Sequence, residues 1–257
     1  MIWDIQRECK LMIEDRLCHT DFVFNRNRLQ RFTTGSLAFD VLLGGGLPTS
    51  CVTDVFGAAS TGKTQFSFQN VVTSCQNQNG DSRAKIKVVF VDCTGSFRPE
   101  RIIEIAENRS INPKKVLEGV SSITVRSSSS QIDVNRKLFE DNTFSSCRLL
   151  IVDDVTSNFV SDYSKESEIP ARQRALAMYA RRLSYIANRR SLSVLLTNSI
   201  RSRGDLGEGE TTGEVLSSYS LFRLHFSRVD QKRYAKLVQP DLTEQKIRFE
   251  ISSNGIS

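Results

Sequence analysis

Eight consecutive residues, Gly57-Ala58-Ala59-Ser60-Thr61-Gly62-Lys63-Thr64, satisfy the pattern GxxxxGK[ST] in full. Their chemistry is that of a polyphosphate cradle. Small residues let the loop wrap around phosphates with backbone N–H groups pointing inward, and a following helix adds its positive N-terminal dipole. Lys63 is placed to reach the β and γ oxygens, and the Thr64 hydroxyl to ligate Mg²⁺. A metal held this way calls for a carboxylate at the end of an apolar strand, and Leu149-Leu150-Ile151-Val152-Asp153-Asp154 supplies one. Asp153 is the expected metal residue, acting with its water ligands, and Asp154 follows it directly.

These side chains meet only if strands and helices alternate behind them. The pattern predicts strands at about 50–56, 86–92, 120–126, 148–153 and 192–197, with helices at about 63–77, 98–108, 129–140 and 170–188. Val88-Val89-Phe90-Val91 and Leu149-Leu150-Ile151-Val152 are continuous apolar runs, as expected of strands covered on both faces. The expected fold is α/β, a P-loop core with a mainly parallel sheet and helices on both faces. Past residue 219, three strand-like runs (220–226, 233–239 and 246–252) have no evident helix between them, which predicts an antiparallel C-terminal extension at one sheet edge. The division expected is an N-terminal segment, 1–30, and an ATPase core, 31–257.

The 257 residues are 39% hydrophobic and 25% charged, a globular composition that rules out disorder and fibrous repeats. No apolar run is long enough for a membrane span, and MIWDIQRECK lacks the features of a signal peptide, so an intracellular chain with no membrane partner is expected. Six cysteines with no CxxC pair, and only His19 and His225, leave no ordinary zinc ligand set and read as reduced thiols. Ile2, Ile5, Cys9, Met12, Ile13 and Leu17 recur at helical spacing, so residues 1–18 are expected to form an amphipathic helix that packs on the core or docks on another chain.

Further residues carry a family resemblance. Phe32-Thr33-Thr34-Gly35-Ser36, Leu42-Leu43-Gly44-Gly45-Gly46-Leu47, the phosphate loop with Gln65, and Phe97-Arg98-Pro99-Glu100-Arg101 occur in order. Asp153 with Thr156-Ser157, then Ala171-Arg172-Gln173 and Leu196-Thr197-Asn198, continue the series. Together they resemble the RecA/RadA recombinase family in its archaeal and eukaryotic branch, over about residues 30–257. The resemblance implies a RecA-like core, ATP and Mg²⁺ as cofactors, and work on DNA in recombination and repair. It places Arg101 over the nucleotide base, with Arg98 nearby, and Asn198 between the γ-phosphate and a DNA-binding loop.

Departures from that pattern bear on function. Where the family carries a glutamate that positions the attacking water, in a sequence of the type Asp-Thr-Glu-Gly, this chain has Asp92-Cys93-Thr94-Gly95. Thr94 cannot accept a proton at neutral pH, and losing a positioned base costs about 10²- to 10⁴-fold in rate. ATP binding with slow hydrolysis is therefore expected, with Lys63, Thr94 and Asp154 as the residues that set turnover. The family's Thr-Asn-Gln is Thr197-Asn198-Ser199 here, and the loops at about 157–171 and 201–214 carry more acidic than basic residues. The family's N-terminal helix-hairpin-helix domain and Phe-x-x-Ala polymerisation tether are expected to be missing, since the one match, Phe56 to Ala59, overlaps the phosphate loop. In domain content the chain is similar to the core-only RadB paralogues, acting in an archaeal cytoplasm or, if eukaryotic, a nucleus.

Lys and Arg exceed Asp and Glu by 35 to 29, giving +6. The excess sits largely in Arg26, Arg28 and Arg31, in Arg181 and Arg182, in Arg189 and Arg190, and in Arg223, Arg228, Lys232, Arg233 and Lys236. A surface that reads a DNA backbone, single-stranded first, is expected to use Arg172, Arg201, Arg203, Arg228, Lys232 and Arg233. Three readings follow. The leading one is a paralogue that binds ATP, single-stranded DNA and/or a partner recombinase. The others are an active strand-exchange ATPase in which Asp154 replaces the glutamate, and an interaction scaffold with no DNA affinity.

Overall fold

The structure is a computed structural model that describes residues 29–76, 87–140, 146–202, 208–209, 213–240 and 245–257. Met1–Gln30 and Arg31–Ser257 form separate units. The helix expected over residues 1–18, together with Arg26 and Arg28, lies outside the described residues.

The strands that build the site are β1 (Cys51–Gly57), β2 (Val88–Asp92), β3 (Val120–Thr124), β4 (Leu149–Asp153) and β5 (Ser193–Ser199). They are followed by β6 (Phe222–Val229), β7 (Lys232–Gln239) and β8 (Lys246–Phe249), and all eight form one sheet in the order β8-β7-β6-β1-β5-β4-β2-β3. From β6 to β3 every pairing is parallel, while β7 and β8 are antiparallel to their neighbours. Strands β1, β2 and β4 are buried at every position, which explains the unbroken apolar runs of β2 and β4. A short hairpin pairing Ile251 with Ile256 ends the chain.

The helices are α1 (Leu37–Leu42), α2 (Lys63–Gln76), α3 (Pro99–Asn108), α4 (Pro113–Glu118), α5 (Ser128–Glu140), α6 (Ser157–Asp162), α7 (Ile169–Arg190) and α8 (Gly213–Tyr219). The run at 220–226 pairs antiparallel with β7, as expected of the extension, and its other edge pairs parallel to β1, which joins the extension to the main sheet. The loop expected at 157–171 is mostly helical, with α6, a 3₁₀ turn at Glu166–Glu168 and the start of α7.

Candidate functional site: a phosphate-loop pocket

Parallel strands in register bring their C-terminal ends to one edge. Gly57 lies opposite Ser199, and Asp92 opposite Asp153. The phosphate loop leaves β1 there, and α2 begins at Lys63. A Cβ at Gly57 would stand 2.1 Å from the Phe226 carbonyl oxygen, so only glycine allows β1 and β6 to approach this closely. Gly62, at φ +112°, has Ile251 Cδ1 and the Phe249 ring 3.0 and 3.3 Å from where its Cβ would be. Behind the loop, Phe39, Phe66, Phe226 and Phe249 pack with ring centroids 4.9–5.7 Å apart. This aromatic cluster gives the loop a rigid floor.

The loop faces a cavity of about 800 Å³ lined by Ala59, Ser60, Gly62, Lys63, Thr64 and Gln65, with Asp153 and Asp154 across from them. Lys63 Nζ donates to the carbonyl oxygens of Gly57 (2.7 Å) and Ala58 (2.8 Å). Burial lowers its pKa, while Asp154, Asp153 and Asp54 act in the opposite direction. Thr61, also expected in the phosphate site, is buried and donates from its hydroxyl to Ala58 O at 2.9 Å, bracing the loop.

Thr64 and Asp153, far apart in sequence, meet directly: the Thr64 hydroxyl donates to Asp153 Oδ2 at 2.8 Å. Ser96 Oγ donates to the same oxygen at 3.1 Å, and the Thr197 hydroxyl to Oδ1. Burial raises the Asp153 pKa, the three hydroxyls oppose that shift, and Asp154 adds to it. The donor set, a hydroxyl beside a carboxylate with all-oxygen chemistry, fits a hydrated Mg²⁺ ion.

Around this centre the carboxylates are already engaged. Asp92 Oδ1 accepts from the backbone N–H groups of Thr94, Gly95 and Ser96, and Oδ2 accepts from Phe97 N–H. It shapes the turn that sets Thr94 at the cavity wall, where Thr94 is exposed. Asp154 Oδ1 accepts from Thr156 N–H (2.9 Å) and the Thr156 hydroxyl (2.8 Å), which ties it to the start of α6. The same hydroxyl lies 3.2 Å from Asn198 Oδ1, while Asn198 Nδ2 is buried with no hydrogen-bond partner among the described residues. Asn198 is not among the residues that line the cavity, whereas Ser199 is.

At the other end, Arg101 Nε donates to Gln65 Oε1 at 2.7 Å and its Nη1 pairs with Glu104 at 2.6 Å. Arg101 Nη2 donates to the Ser252 carbonyl at 2.5 Å, so the guanidinium fastens the C-terminal hairpin to the cavity wall. Arg98 instead bonds the carbonyls of Gly95 and Phe97 in its own turn. Sequence reasoning missed Ser96, Thr197, Glu104 and Ile251–Ser253. Strand ends facing Asp153 could have indicated Thr197, and a position one turn beyond Arg101 could have indicated Glu104. The hairpin had no local signal.

The expected DNA-contacting residues separate. Arg172 is a correction: it is 7% exposed and donates to the Tyr163 carbonyl at 3.2 Å, because α7 turns that side inward. Arg233 lines the phosphate-loop cavity. Arg228 and Lys232 are exposed at the β6–β7 turn. Arg201 begins a two-residue strand pairing with Gly209, and Arg203 lies outside the described residues. Of the wider basic clusters, Arg223 is buried against Asp54 (2.9 Å) and over the Phe56 ring, and Arg31 donates to Leu43 O.

Comparison with known proteins places this geometry. The chain is 33% identical over 241 residues to the DNA repair and recombination protein RadA of Cenarchaeum symbiosum, covering 90% of this chain and 59% of that protein. It is 34% identical over 243 residues to the meiotic recombination protein DMC1 of Saccharomyces cerevisiae, covering 90% and 72%. With RadA of Metallosphaera sedula it shares 33% over 242 residues, covering 90% and 73%. The family model described as Rad51 matches residues 25–257, essentially the whole α/β core with its phosphate loop and Asp153, and the chain belongs to the Rad51 family.

Proposed function

We propose that this chain is an ATP-binding recombinase paralogue that assists homologous recombination and DNA repair, with slow ATP hydrolysis. Its expected partners are single-stranded DNA, another recombinase of the family, or both. The reading rests on Thr94. That side chain stands at the cavity wall where the resemblance calls for a carboxylate, and the three nearby aspartates each have other work. Asp92 holds its own turn, Asp153 gathers three hydroxyls, and Asp154 is bound by Thr156. The names of the relatives, which speak of DNA repair and of meiotic recombination, support the biological setting.

In this reading, Thr64 and Asp153 would hold a hydrated Mg²⁺, which would supply neutralisation of phosphate charge. Lys63 would exchange its loop carbonyls for phosphate oxygens, and Arg101 would stack on the base. Without a base to orient water, hydrolysis is slow and the ATP state persists, which suits a switch-like accessory in the manner of RadB. Arg228, Lys232, Arg201 and Arg203 are the proposed backbone contacts to DNA.

Phosphate release from Mg-ATP, with and without single-stranded DNA, tests the proposal against Lys63→Ala as background. Nucleotide binding with turnover close to that background is the expected outcome. Robust DNA-stimulated turnover overturns it.

A further inference from the structure

We infer that Arg233 is a phosphate contact of the nucleotide pocket, a second cation beside Lys63 that binds the terminal phosphates of the triphosphate from the β6–β7 hairpin. The inference rests on the reading that this pocket holds a nucleoside triphosphate.

Arg233 sits on β7 opposite Phe249 of β8. Directly opposed residues share a face of a sheet, and Phe249 uses that face to pack against Gly62 of the phosphate loop. The same face therefore carries Arg233 toward the loop, and it lines the cavity with Ala59, Ser60 and Lys63. Charge pairing in the cavity leaves Arg233 distinctive. Arg101 is paired with Glu104, and Lys63 lies in the field of Asp153 and Asp154. Among the described residues no carboxylate pairs with Arg233, and its Nε is buried with no hydrogen-bond partner. A buried guanidinium nitrogen without an acceptor is costly. Its surroundings make sense once an anion with several oxygens arrives, and the flat guanidinium fork matches phosphate oxygens two at a time. A base or ribose could offer that N–H an acceptor but would leave the guanidinium charge unpaired, whereas a phosphate supplies both.

Equilibrium binding of ATP, ADP and AMP by the full chain, read by competition with a fluorescent ATP analogue, tests the assignment. Arg233→Gln is expected to weaken ATP about 10- to 100-fold, ADP less, and AMP by under about 2-fold. Arg233→Lys keeps a charge without the fork and is expected to recover part of the loss. Arg136→Gln, on the exposed side of α5, serves as the control. Thermal melts establish that each variant is folded; if the Gln variant is not, the Lys variant carries the same comparison across the three nucleotides. An undiminished ATP affinity, or an equal loss for ATP and AMP, overturns the inference. Loss of single-stranded DNA affinity with ATP binding intact also overturns it and returns Arg233 to the DNA surface. If the wild type binds ATP, Lys63→Ala does not, and Arg233→Gln still does, this inference alone fails. A wild type that binds no nucleotide removes the proposed function as well.

Discussion

Thr94 has an unusual advantage as a test position, because its side chain is exposed at the cavity wall and no packing depends on it. Thr94→Glu should therefore fold normally and place a carboxylate at the family position. Restoring a positioned base is expected to raise ATP turnover by about 10²-fold or more, read as phosphate release under saturating Mg-ATP. An unchanged rate would mean that turnover is limited elsewhere. Asp154 provides the contrasting case. Its Oδ1 is already used by the backbone and hydroxyl of Thr156, and an amide oxygen accepts those same bonds. Asp154→Asn should thus leave turnover within about twofold, whereas a general base lost at this position would cost about 10² or more. A collapse of activity in that variant would revive Asp154 as the substitute base.

Among the elements, the pairing of β1 with β6 holds the phosphate loop in place. Its register sets Arg223 opposite Asp54 and brings Phe226 opposite Gly57. Asp54 is fully buried, and Arg223 both pairs with it and covers the Phe56 ring at 4.3 Å. Removing the cation takes away the ion-pair partner of a fully buried carboxylate, so Arg223→Met should destabilise the fold by about 3–5 kcal/mol in urea unfolding. Replacing Asp54 by Asn in that background should return part of the loss, since no buried charge remains. Full stability in Arg223→Met would show that Asp54 is neutral or solvated. This strand also shows where the sequence was hard to read. The strand-like run at 220–226 announced a strand antiparallel to the next run, but nothing local shows that its other edge pairs parallel to β1, which lies far away along the chain. Parallel and antiparallel neighbours look alike when both are covered on two faces.

Across the whole molecule, legibility followed locality. The phosphate loop, β4 and Asp153 were plain in the sequence because a strand, a tight small-residue loop and a helix form one contiguous unit. The burial of Arg172 and the place of Arg233 at the cavity were not legible, because charge alone does not tell which side of α7 or β7 faces inward, and for β7 that is set by partners such as Phe249. Cysteines, by contrast, were read from their apolar neighbours, and burial governs their chemistry. Cys51, Cys75, Cys93 and Cys147 are free and buried. Burial pushes the Cys51 thiol up to about 12, with Arg31 pulling it back, and raises Cys75 and Cys147 to about 11. Cys93 is driven higher by burial, and by Asp154, Asp153 and Asp92 in addition.

Two measurable consequences follow from those thiols. Because the thiolate is the nucleophile, none of the four should react with iodoacetamide in the native protein at pH 8, and all four should react in denaturant, as counted by peptide mass spectrometry. The pH dependence has a definite sign. Folded pKa values above the unfolded value of about 8.5 mean that the unfolded chain releases these protons first, so it binds fewer protons than the native state as pH rises. The thiols' contribution is intact below about pH 8.5 and is lost progressively as pH climbs toward 11 to 12, by about 1 kcal/mol per thiol near pH 9.5. Urea midpoints measured from pH 7.5 to 10 should fall in step, and Cys147→Ala should fall less steeply than the wild type. A flat profile, or native labelling at the rate of a free thiol, would show that the helices over this sheet open far more readily than their packing implies.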